Sequence, residues 1–194
     1  MTRRRPIAAV AIAILAGTIG LTALPARAAQ VSVEQYVQGV CTSIGDFQTT
    51  ITDAQASVES QLEDLTDVPA AKDAFVTFMG DFAGAVDQLR TDLKAAGSPQ
   101  IQNGGKLAAV LRSGVAQMHK LVQGAEERAS DLPTGSPRAF TKALTKVNRS
   151  MDKALDELGD SISEAGDKYD TGQFDEASDN EPACSVIGGG TASS

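Results

Sequence analysis

The chain has no tryptophan, one histidine, two cysteines and an aromatic content of 4%. Each scarcity removes a class of chemistry. With His119 as the only histidine, any His-Asp-Ser or histidine-rich metal site has to be built around that one residue. There is no C-x-x-C-H for covalent haem attachment, and no Glu-x-x-His of the kind that builds a di-iron centre in a helical bundle. No glycine-rich loop follows a strand-like segment, so nucleotide binding has no support. The acidic residues Asp167, Asp170, Asp175, Glu176, Asp179 and Glu181 lack the spaced Asp/Asn, Gly and terminal Glu of a calcium loop. Neither an enzymatic activity nor a cofactor is expected.

What is present is helical periodicity. From Phe140 to Tyr169 the apolar residues Phe140, Leu144, Val147, Met151, Ala154, Leu158, Ile162, Ala165 and Tyr169 recur every three or four positions, one face of an α-helix. A long helix with a single apolar stripe gains most of its stability by docking on other helices. The 194 residues, 42% of them hydrophobic, suffice for one domain with a core.

Residues 1–28 read as an export leader. Arg3, Arg4 and Arg5 precede an apolar run from Ile7 to Leu24, and Ala26-Arg27-Ala28 has the small-x-small pattern of a signal-peptidase site. Cleavage after Ala28 removes four of the 17 basic residues and leaves 13 against 25 acidic ones, a net charge of −12. A protein so acidic avoids non-specific attachment to nucleic acid or anionic membranes. Outside the cytosol, Cys41 and Cys184 are expected to form a disulfide.

Four helices are expected, over about 32–66, 69–96, 99–130 and 137–170. Ser32 and Gln35 form a capping box at the first start. Asp67 to Pro69 is a turn in which Val68 is held out of helical geometry by the proline after it, and Pro69 opens the second helix. Gly97 ends that helix. Ser98-Pro99 and Ser136-Pro137 read as cap-plus-proline starts, although Gly104-Gly105 weakens the third helix near its beginning. Short loops then imply an up-down-up-down antiparallel four-helix bundle. Residues 171–194 turn to Asp, Glu, Gly and Ser and read as a flexible acidic tail tethered through Cys184. The G-x-x-x-G at Gly80 and Gly84 marks a flat small-residue patch on the second helix.

Charge is segregated along the chain. Residues 29–97 carry −8, residues 98–154 carry +5 and residues 155–194 carry −9. Arg138, Lys142, Lys146, Arg149 and Lys153 share the outer face of the fourth helix. They either pair with Glu59, Glu63, Asp64 and Asp67 at the end of the first helix or form a docking stripe for an anionic partner. His119 falls at the margin of the third helix's stripe, while Met79, Met118 and Met151 lie on stripes. A bundle can hold haem between one His and one Met, so His119, Met79 and Met151 are the candidate ligands of that alternative.

Gln35-Tyr36-Val37-Gln38-Gly39-Val40-Cys41, an aromatic and then a Val-x-x-Val-Cys-like helix, resembles the opening of exported proteins of high-GC Gram-positive bacteria. The resemblance implies a small helical domain of the cell envelope and carries no site residues. The expectation is a secreted, non-enzymatic binding or structural protein, its partner a protein or a cell-wall polymer. The alternative is a carrier of a hydrophobic ligand or haem.

Overall fold

The computed structural model describes residues 30–63, 67–169 and 172–187. Within its helices the side chains at 61–63, 151, 153–155, 157, 158, 161, 162, 164–167, 186 and 187 are not described. The expected leader at 1–28, the expected last turn of the first helix at 64–66, residues 170–171 and residues 188–194 therefore lie outside the described residues.

The described chain is predominantly α-helical. Its helices are α1 (Val33–Glu63), α2 (Val68–Ala95), α3 (Gly104–Ser130), α4 (Pro137–Lys168), α5 (Gly172–Asn180) and α6 (Pro182–Ile187). Two strands of two residues each, β1 (Gln30–Val31) and β2 (Ser98–Pro99), pair in parallel. None of the helices searched among the described residues is long and apolar enough to cross a membrane.

Local chemistry sets most boundaries. At the start of α1 the Ser32 hydroxyl accepts from the Gln35 amide while the Ser32 amide donates to Gln35 Oε1, both at 3.2 Å, a complete capping box. Ser136 Oγ caps α4 by accepting from Ala139 N at 3.2 Å. The start of α2 differs from expectation. Asp67 is its N-cap, accepting from Ala70 N at 2.7 Å, and Val68 is already helical. The carboxylate cap outweighs the proline's pressure on the preceding residue.

The largest boundary correction concerns Ser98-Pro99. These residues do not open α3. Gly97, at φ 78°, ends α2 in the left-handed region, and the chain then runs extended beside the N-terminal strand. Gln100 N donates to Val31 O at 3.0 Å, and Ser98 and Pro99 are buried. A residue before proline favours extended geometry, so Ser98 suits a strand as well as a cap. The chain re-enters a helix at Gly104, after Asn103 at φ 62°. Gly104 lies so close to Pro99 that a Cβ there would be 2.1 Å from the Pro99 carbonyl oxygen.

The long helices pack in chain order: α1 on α2, α2 on α3, α3 on α4. Gly39 faces Ala96, and Phe47 meets Phe82 with ring centroids 6.0 Å apart, so α1 and α2 run antiparallel. Arg112 Nη1 donates to Gly97 O at 2.8 Å and His119 meets Asp87, so α2 and α3 do the same. The core joins Tyr36 and Val40 of α1, Met79, Val86, Leu89 and Leu93 of α2, Val115, Met118 and Val122 of α3, and Val147 of α4. Of the neighbours Leu121 and Val122 on α3, Val122 is buried and Leu121 is exposed.

The region expected to be a flexible acidic tail is largely ordered. Residues 172–187 form α5 and α6, and both pack on α1. Two contacts account for this. The Phe174 ring lies 6.1 Å from that of Tyr36, and Cys41 and Cys184 form a disulfide across a separation of 143 residues. Helices this short are not stable alone in water, so their order derives from docking.

Candidate partner-docking site

α4 is oriented by its buried side. Phe140 and Val147 face the interior, which leaves the opposite face in solvent. Arg138, Lys142, Lys146 and Arg149 recur on that face at steps of four, four and three, and all four side chains are exposed. Lys153, the fifth member by spacing, has a side chain outside the described residues.

Among the described residues, no carboxylate stands within ion-pair distance of these four cations; the described carboxylate contacts of basic side chains are the Arg90–Asp87 ion pair and the His119–Asp87 contact, each at 3.0 Å. Glu59 and Asp67 are exposed and do not pair with the described side chains of α4. Glu63 and Asp64 lie outside the described side chains. The described part of the row is thus a solvated cationic face on a chain whose formal net charge is −8.

His119 is more enclosed than a boundary position implies. Its side chain is 12% exposed and its Nε2 is 3.0 Å from Asp87 Oδ1, so the nitrogen a metal would take already has a partner. Met79 is buried in the core, eight residues and therefore about 12 Å along α2 from Asp87. His119 and Met79 are not brought together, and the Met151 side chain lies outside the described residues. Among the described residues, no group of three or more His, Cys, Asp or Glu side chains is arranged to hold a metal ion.

Two titrating groups at the start of α1 are shifted. Hydrogen bonding to its own backbone amide, then to the Ser32 hydroxyl, lowers the pKa of the Glu34 carboxyl. Burial raises that of Tyr36, and the nearby Arg112 charge opposes the rise.

Sequence spacing did not reveal an aromatic groove between α1, α2 and α4. Phe47, Phe75, Phe78 and Phe82 form its floor and walls, with Asn148 and Asp152 on the α4 side, around a volume of about 420 Å³. The Phe78 and Phe82 rings are nearly parallel, at an interplanar angle of 4° and a centroid distance of 6.1 Å. Phe82 is buried, whereas Phe47, Phe75 and Phe78 stay partly exposed. A second hollow, about 590 Å³, lies over Gly80 and Gly84, where an added Cβ would meet nothing within 4 Å.

No family model matches the chain, and no curated protein or solved structure matches it.

Proposed function

We propose that the protein is exported, non-enzymatic and acts by binding at the cell envelope, with the cationic face of α4 as its docking surface for an anionic cell-wall polymer or acidic envelope protein. The observation that carries this reading is the exposure of Arg138, Lys142, Lys146 and Arg149 on one face, none paired among the described residues. Charges held in a row by a rigid helix pay little ordering entropy when a polyanion binds, and they raise the encounter rate. The Cys41–Cys184 bond supports an oxidising compartment and hence the leader reading of residues 1–28.

In this reading α1–α4 close as an up-down-up-down bundle, α5 and α6 strap its open end, and Lys153 extends the docking row by one turn. The test is retention on isolated envelope from the host. Wild-type protein should be retained, and a variant with Arg138, Lys142, Lys146 and Arg149 changed to Gln should wash through; equal retention of both would defeat the proposal.

A second reading, a carrier of a hydrophobic ligand, is favoured by the aromatic groove rather than by the bundle core. Haem is not the ligand of choice there, because His119 lies against Asp87 and is absent from the groove lining.

A further inference from the structure

The aromatic groove has a specific chemistry. Three of its four phenylalanines are partly exposed, an arrangement that leaves ring faces open to a ligand. Among the described residues, its one charged lining residue is Asp152, exposed on α4 beside the Asn148 carboxamide. Asp152 makes no ion pair with a described side chain. Aromatic faces attract a cation through their quadrupole, and a carboxylate at the lip adds a Coulomb partner for it. The same faces shelter an alkyl or aryl body from water. The volume, about 420 Å³, falls within the range of about 300–1000 Å³ typical of small-molecule sites.

We infer that the groove formed by Phe47, Phe75, Phe78 and Phe82 with Asn148 and Asp152 is a binding site for a small lipophilic cation, an apolar body carrying an amine or quaternary ammonium group. This develops the carrier reading by naming the ligand class, and it is independent of polyanion docking on α4. The apolar body lies along the phenylalanines. The ammonium sits at the α4 lip, against Asp152 and within reach of a ring face. Charge complementarity decides the head group. An anionic head in the same place would face Asp152 with no cation among the described lining residues to balance it.

The cationic row lies on the adjoining face of α4, and Arg149 is three residues from Asp152, one helical turn away. It opposes a cationic ligand. Removing its charge should therefore tighten binding, the opposite of its effect on polyanion docking.

The experiment uses the mature, disulfide-bonded protein and three chain-matched probes below their micelle concentrations: dodecyltrimethylammonium, dodecanol and dodecanoate. Equilibrium dialysis measures each. The ammonium should bind about tenfold more tightly than the alcohol, and dodecanoate should bind weakest. Asp152→Asn, at an exposed position, should remove most of the ammonium's advantage and leave dodecanol unchanged. Phe78→Ala should weaken both, and Arg149→Ala should strengthen the ammonium alone, with circular dichroism confirming that each variant keeps its helix content. Binding of dodecanoate or dodecanol as tight as that of the ammonium would overturn the assignment. So would an ammonium affinity indifferent to Asp152→Asn, or no binding of any probe. Each of these failures leaves retention on envelope, and so the docking proposal, untouched.

Discussion

Cys184 is bonded to Cys41 with their Cα atoms 4.9 Å apart, and the bond fastens the chain's last described helix to the third turn of its first long one. Nearly the whole described fold lies inside that loop. In the loop-entropy account, cross-linking 143 residues of separation constrains the unfolded chain by about 5 kcal/mol. Replacing both cysteines with serine should therefore lower the unfolding free energy by several kcal/mol in urea titration. A loss below about 1 kcal/mol would mean that the bond does not set global stability.

Phe174 is the second fastening. With the disulfide intact, Phe174→Ala should cost about 1–2 kcal/mol, less than a fully buried Phe because the ring is only partly buried. The loss should be local. Amide exchange in residues 172–180 should accelerate while the centre of α2 stays protected.

Two glycines on α2 and α3 should respond in opposite directions. Gly104→Ala places a Cβ 2.1 Å from the Pro99 carbonyl oxygen, a backbone clash that no side-chain rotation relieves. It should destabilise by about 2 kcal/mol or more. Gly84→Ala meets nothing within 4 Å inside a helix. It should stabilise by about 0.5–1 kcal/mol. Thermal melts of the two variants check both signs.

Burial raises the Tyr36 pKa above its ordinary value of 10.0. The unfolded chain therefore loses this proton at lower pH than the folded one. The stability linked to Tyr36 is present below pH 10 and falls as pH rises through the folded pKa. Denaturant midpoints measured from neutral pH to above pH 10 should show this loss, and Tyr36→Phe should flatten it. An unchanged profile in the variant would place the alkaline transition elsewhere.

His119→Ala should cost about 1 kcal/mol, the scale of a single hydrogen-bonded contact to a half-exposed Asp87. A denaturation loss above about 2 kcal/mol would mean that the imidazole carries packing beyond that contact.

What was legible in the sequence was local or periodic. The capping box at Ser32 and Gln35, the Ser136 cap and the left-handed Gly97 each follow from a few adjacent residues. The inward placement of Phe140 and Val147 on α4 follows from helical spacing. The long-range parts were hidden. A two-residue strand has no period, so Ser98-Pro99 read as a helix start until Gln30 and Val31 lay beside it. The acidic composition of 172–187 suggested disorder, because a helix of nine residues is unstable until Phe174 finds Tyr36. Val37 lies off the main stripe and is completely buried; α1 is covered on more than one side because α5 and α6 also pack on it. The cationic row of α4 was legible from spacing. Its lack of described ion pairs and the neighbouring aromatic groove required the three-dimensional arrangement.

The most direct measurement of the docking account is the salt dependence of binding to isolated host envelope, comparing the wild type with the variant carrying Gln at 138, 142, 146 and 149. If α4 docks a polyanion through these cations, the wild-type affinity should fall steeply as salt rises, because counterions are released on binding. The variant should bind weakly with a nearly flat dependence. Wild-type binding that is insensitive to salt, or a variant with the same slope and affinity, would contradict it.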